Sequence, residues 1–296
     1  DDRYDAMKAA VDGGAKVVVC AGFMQGAALA RAAAEFTDTS FVFIDGDPVA
    51  DENGNDLSNV AAVAFCEEQC GYFAGYAVVK DGFTKLGFSG GGGGTNPACC
   101  RYGYGFVQGA NAAAAEKDVQ VEMNYSWEYG SSFSASPELQ TMANGWYQSG
   151  TEVIFACGGS MFASVAAAAG AEEGKVVGVD VDQSANIDTY GEGMCVTSAM
   201  KGLAETVKHM LGEVVAGNFA NYGGKVETLG LVNGDDPTAN YVQLPMESTQ
   251  WCDTFTQDNY KELVKSMFDG TITVSNDTTA MPATTAVTVN EYGNIK

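Results

Sequence analysis

The sequence is poor in histidine, in positive charge and in long apolar runs, and each shortage removes a class of function. Among 296 residues there is one imidazole, His209. It falls inside a stretch with amphipathic helical spacing, and no nucleophile lies near it in sequence. No Gly-x-Ser-x-Gly turn occurs either, so the Ser–His and Cys–His chemistries of hydrolases have no carrier here. Without histidines, Cys66-x-x-x-Cys70 and the vicinal Cys99-Cys100 also lack partners for a zinc site, and we expect neither a metal nor a cofactor. Only 15 Lys and Arg stand against 38 Asp and Glu, for a net charge of −23. Such a chain repels phosphate backbones and anionic headgroups, which argues against nucleic acid as a partner. No run of about 18 apolar residues is free of charge or turn signals, so none is expected to span a bilayer. The longest candidate, Ala61 to Val79, carries Glu67, Glu68 and Gln69.

What the sequence does contain is an alternation of short β-rich runs and alanine-rich helical stretches, with 46% hydrophobic residues to supply a core. The strands are expected at Val17 to Cys20, Phe41 to Asp45, Val60 to Ala64, Lys85 to Ser89, Val119 to Tyr125, Val153 to Cys157, Val176 to Asp180 and Cys195 to Ser198. The gaps between them mostly leave room for a helix, the pattern of βαβ units in parallel sheets. Helices are expected over Gln25 to Glu35, Glu67 to Lys80, Cys100 to Glu116, Pro137 to Ser149, Ser160 to Glu173, Lys201 to Ala216 and Gln257 to Asp269. So many strands imply two lobes: a first over 1–84, a second over 85–195, a return to the first over 196–222, and second-lobe strands with an extended tail over 223–296. No repeat of 20 to 50 residues is visible. The eight cysteines fall within or beside apolar elements, which reads as buried free thiols for most of them.

The candidate site is the run Lys175 to Gln183, a buried strand ending in Asp180 and Asp182, followed by Thr197-Ser198 and Lys201. Open α/β sheets hold ligands at the carboxyl ends of their strands, so a carboxylate and an ammonium there point to a polar small-molecule site. Lys201 is expected in the first turn of the next helix, partly exposed. Asp182 reads as structural or as an N-cap. Gly90 to Gly94 lacks the Gly-Lys-Ser/Thr ending of a P-loop, and no acidic ribose reader follows it at the dinucleotide-binding offset. It reads as a loop of close backbone approach to a ligand, or simply as a flexible loop. Of the tryptophans, all expected to pack, Trp127 is the one best placed to look into a cleft.

These pieces together resemble the basic membrane protein family of substrate-binding lipoproteins, which includes purine nucleoside receptors of ABC transporters. The resemblance is carried by Val17 to Phe23, Phe41 to Gly46, Gly71 to Gly75, Leu86 to Gly91, Pro97, Arg101-Tyr102, Gly105-Phe106, Gly109-Ala110, Val153 to Gly159, Gly178 to Gln183, Thr197-Ser198 with Lys201, and Met281 to Thr285. It implies an α/β type I periplasmic-binding-protein fold, two Rossmann-like lobes with parallel sheets joined by a hinge, and a nucleoside held in the cleft. Carried over position by position, it implies that Asp180 grips ribose hydroxyls and that Lys201 also reaches the ligand. The base-covering aromatic falls after Gly158-Gly159, where Phe162 is the candidate, and Gly158, Gly159 and Phe23 join the ligand-binding set. It further implies an ABC permease as partner, a monomer, no catalysis, and a lipid-anchored protein outside the cytoplasm, with a further βαβ unit ahead of Asp1. On the residues alone, a sugar or other polar solute stays open, as does a sensory domain without transport.

Overall fold

The computed structural model describes residues 2–293. The chain runs α1 (Asp2–Asp12), β1 (Val17–Ala21), α2 (Gly26–Glu35), β2 (Ser40–Ile44), β3 (Val60–Phe65), α3 (Glu67–Asp81), β4 (Lys85–Gly90), α4 (Pro97–Lys117), β5 (Val121–Ser126) and α5 (Pro137–Gln148). It continues through β6 (Val153–Cys157), α6 (Phe162–Ala171), β7 (Lys175–Asp180), α7 (Ser184–Ile187), β8 (Cys195–Lys201), α8 (Leu203–Val215), β9 (Lys225–Leu229), β10 (Val242–Gln243), α9 (Gln257–Phe268) and β11 (Val287–Tyr292).

The first of two compact units takes residues up to Phe65 and Gly202–Leu229. Its four strands lie in the order β1-β2-β3-β9, all parallel. Under them Tyr4 and Met7 of α1 and Leu29, Ala32 and Ala33 of α2 pack on Phe41, Phe43 and Val60. Strand β2 has neighbours on both sides and reads as an unbroken apolar run, whereas the edge strand β1 leaves Val19 exposed,.

The second unit takes Cys66–Lys201 and the chain from Gly230 onward. Its seven strands lie in the order β10-β8-β7-β6-β4-β5-β11, parallel except for β10 against β8. Every residue of β6, Val-Ile-Phe-Ala-Cys, is buried, as expected for a central parallel strand,. The polar tail returns as β11 beside β5 and covers what would be an open edge,. Helix starts follow local chemistry: Asn96 accepts from Cys99 N ahead of Pro97, Ser136 from Leu139 N ahead of Pro137, and Thr256 with Asn259 closes a capping box,.

The expected lobe boundaries move. Helix α3 goes with the second unit because it packs along α4, β8 stays there because it pairs with β7, and β9 goes with the first because it pairs with β3. The crossings therefore fall at 65/66, 201/202 and 229/230 instead of 84/85, 195/196 and 222/223. Asp1 and residues 294–296, included in the expected lobes, lie outside the described residues. Among the described residues all eight cysteines are free, six of them buried.

Candidate functional site

The run Gly178 to Gln183 folds back on itself. A Cβ at Gly178 would sit 2.5 Å from Ser198 Oγ and 2.9 Å from Gln183 Cβ. Glycine there leaves room for Gln183 to tuck beneath the strand end. Gln183 Oε1 accepts from Val179 N (2.9 Å), its own N–H donates to Ser198 Oγ (3.1 Å), and Nε2 donates to Gly159 O (3.4 Å). Asp182 accepts from Ser184 N at 3.0 Å and from Ser248 Oγ at 2.7 Å. Burial raises the Asp182 carboxyl, but these hydrogen bonds outweigh it and hold the group below the usual range. Between these anchors Asp180 takes a left-handed backbone, φ 64°. For a residue other than glycine that costs about 1–2 kcal/mol, and it persists only where the surroundings dictate it.

Lys201 ends β8 instead of opening α8, which corrects the expectation of a partly exposed first-turn lysine. It is 3% exposed, because β8 lies between β7 and β10. Its Nζ stands 3.3 Å from Asp180 Oδ1 and 3.4 Å from Glu67 Oε1. Glu67 is wholly buried in the first turn of α3, and its other oxygen takes Arg101 Nε at 2.6 Å. The Glu67 oxygen facing Lys201 makes no hydrogen bond, so that contact is an ion pair only. Tyr102 donates its hydroxyl to Asp180 Oδ1 and to Ala199 O, both at 3.2 Å, and its ring lies 5.1 Å from Lys201 Nζ. Glu68, also buried, is raised above the carboxylate range by burial, with the Glu67 charge adding and Arg101 opposing.

A seam of four glycines brings these charges together. A Cβ at Gly71 or Gly75 of α3 would collide with the backbone of α4 at Tyr102 and Phe106, and one at Gly105 or Gly109 with the backbone of α3 at Glu68 and Tyr72. The two helices therefore touch backbone to backbone, and Glu67 meets Arg101 without a long reach.

The glycine run after β4 is a seat for aromatic rings. A Cβ at Gly90 would collide with the ring of Trp127, and one at Gly91 would come within 2.5 Å of Phe133. Trp127 is itself buried against Phe88 and Tyr125, so it packs instead of opening toward ligand. The loop after β5 holds two non-glycine residues with left-handed backbone, Tyr129 (φ 61°) and Phe133 (φ 58°). It is bolted to both neighbouring loops by Gly92 N→Gly130 O and Ser160 N→Phe133 O, each 3.0 Å. Gly158 and Gly159 lie against Phe133: a Cβ at Gly158 would come within 3.1 Å of its ring, and one at Gly159 would collide with its backbone oxygen.

The structure thus joins Asp180 and Lys201, and it places Gly158 and Gly159 past the adjacent strand end, with Gly159 tied to Gln183. It does not bring Phe162 to them: that ring opens α6 and packs half-buried against the core around Val165, Ala166 and Ile187. Phe23 lies in the first unit, exposed in the turn after β1. Phe133, Tyr129, Tyr102 and Glu67 were missed as site residues. The one sequence signal for Phe133 is an isolated aromatic in a Gly/Ser-rich loop directly after a strand.

Parallel α/β sheets with polar groups gathered at their carboxyl ends make this a periplasmic-binding-protein-like fold of type I. Its solved neighbours agree: an ABC transporter solute-binding protein from Conexibacter woesei (TM-score 0.65, 21% identity, covering 93% of this chain and 84% of that one) and one from Aeropyrum pernix (TM-score 0.62, 21% identity, 93% and 75%). The chain belongs to the Bmp family of PnrA-like ABC transporter substrate-binding proteins, whose model matches residues 1–266. Among its relatives are basic membrane protein B of Borreliella burgdorferi, 31% identical over 224 residues, and the ABC transporter nucleoside-binding protein BmpA of Lactococcus lactis, 29% identical over 235 residues. Each alignment takes in 75% of this chain and 62% of the relative, so the chain spans less than two thirds of their length.

Proposed function

We propose that this chain captures a nucleoside, a purine nucleoside first among them, for an ABC importer, outside the cytoplasm and without chemical conversion of the ligand. The observation that carries the reading is the state of Asp180. Its Oδ1 is committed to Tyr102 and Lys201, while Oδ2 accepts nothing from the described residues and the side chain is 34% exposed. A strained, braced carboxylate with one open oxygen suits a sugar diol. On the neighbouring strand ends the Phe133 and Tyr129 loop offers flat faces suited to a base. The name of the lactococcal relative and family membership support the same ligand class and a membrane permease as partner.

The test is calorimetric titration of inosine, guanosine, adenosine, the free bases and ribose against the parent and Asp180→Ala. A nucleoside is expected to bind best. Losing hydrogen bonds to a charged group should weaken it by about two to four orders of magnitude. Tighter binding of ribose than of any nucleoside, or an Asp180→Ala protein within threefold of the parent, overturns the reading.

A further inference from the structure

We propose that Tyr102 is a positioning residue that sets which hydroxyl pairs Asp180 can read, an inference that rests on Asp180 being the ligand carboxylate. A carboxylate offers two oxygens and about four acceptor sites. Here Tyr102 and Lys201 both address Oδ1, at 3.2 and 3.3 Å, so the carboxylate is turned with Oδ2 outward. Tyr102 has little freedom to release it. The residue is 1% exposed, its ring meets Phe155 edge-on at 5.9 Å, and the same hydroxyl is shared with the Ala199 carbonyl of β8. Its helix is fixed by the glycine seam with α3. Burial above all, with acidic neighbours adding, pushes its phenol far above the ordinary value, so it remains a donor.

One outward oxygen accepts from two hydroxyls only if their O–H bonds converge on it, as those of a cis-1,2-diol do. A carboxylate free to turn would meet a ligand side-on with both oxygens and accept single or trans hydroxyls nearly as well. Tyr102 therefore makes Asp180 selective for cis diols, acting through the carboxylate without touching the ligand.

The experiment compares inosine, 2′-deoxyinosine and the arabinosyl analogue of inosine on the parent, Tyr102→Phe, and the control Tyr147→Phe, which deletes a different buried hydroxyl, one that donates to Lys175 O at 2.7 Å. Tyr102→Phe is expected to lose about tenfold for inosine, the worth of one hydrogen bond to a charged group. It should stay within threefold for the other two ligands, and Tyr147→Phe should leave the ratios unchanged. Equal losses for all three ligands, or none, overturn the proposal. So does a parent that binds the arabinosyl and ribosyl compounds alike, a result that needs no variant to fold. If the parent binds no nucleoside, the nucleoside reading fails by itself, and the ligand-free Asp180 13Cγ resonance then decides about Tyr102. A shift in Tyr102→Phe and not in Tyr147→Phe upholds the positioning role, and an unmoved resonance ends it.

Discussion

Each unit carries an aspartate with left-handed backbone at the end of a buried parallel strand: Asp45 (φ 65°) directly after β2 and Asp180 (φ 64°) as the last residue of β7. The sequences rhyme, Ile-Asp-Gly-Asp against Val-Asp-Val-Asp, but the supports differ. At Asp45 the turn is held by backbone N–H groups of Asp45 and Gly46 on Val63 O, and Gly46 sits against the Phe43 ring. The chain then leaves through an exposed loop. At Asp180 the following residues are fastened back into the core by Gln183, and the carboxylate itself is gripped by a buried lysine and tyrosine. Main-chain hydrogen bonds to Val63 thus hold the strained turn at Asp45, while at Asp180 a buried side-chain network grips the carboxylate itself, and a network of that kind also fixes where the carboxylate points.

The strongest test of that difference removes the network's centre. Lys201→Met leaves the carboxylates of Glu67 and Asp180 without the ammonium between them. Breaking a buried pair costs about 3–5 kcal/mol, so the ligand-free melting temperature should fall by about 10 °C. A fall of two degrees or less in a calorimetric scan would show that water reaches the cluster and that the buried pair contributes little. Next in size, Phe133→Ala should weaken nucleoside binding by the worth of one stacked base, about 1–3 kcal/mol, while Phe162→Ala leaves affinity within threefold and lowers stability. Titration of both variants decides which ring meets the ligand, and the reverse order would restore Phe162.

Glycine at each aspartate separates strain from chemistry. Asp45→Gly should hold its melting temperature within a few degrees, since relief of strain offsets the added freedom of the unfolded chain. Asp180→Gly should melt lower than Asp45→Gly by about 1–2 kcal/mol, a buried-pair cost discounted because Asp180 is a third exposed. Equal melting points would mean that Lys201 and Tyr102 do not brace the fold through Asp180. The smallest effect concerns pH. Burial raises the Glu68 carboxyl, so its contribution to stability is present below its unfolded pKa and is lost as pH rises through the higher folded value,. Glu68→Gln should therefore melt above the parent at pH 7–8, with the advantage vanishing below about pH 4. An advantage that persists at low pH would point to packing instead.

The strand ends were legible because central parallel strands announce themselves as apolar runs, and Asp180 stood out as the carboxylate that closes one. Lys201 was legible as a partner but not as a buried one. Its burial comes from strands that flank β8 in space, one of them more than 40 residues further along the chain. In the sequence Glu67 and Glu68 register only as charges that interrupt an apolar run, and the contact with α4 is what reveals that they are sealed from water. Phe162 came from the family resemblance, as the aromatic after Gly158-Gly159, and Phe133 went unnoticed because the strained backbone that marks it has no signature in residue type.

The seam between α3 and α4 bears on how this protein can change over generations. Gly71, Gly75, Gly105 and Gly109 have no clearance for even a methyl group, so a single-step substitution at any of them pushes apart the helices that deliver Glu67, Arg101 and Tyr102. In the Phe133 loop the tight glycines, Gly91 and Gly159 among them, hold the backbone and leave the identity of its aromatic side chains open. Natural drift in ligand preference should therefore accumulate in the aromatic loop, while four positions without side chains keep the grip on the hydroxyls fixed.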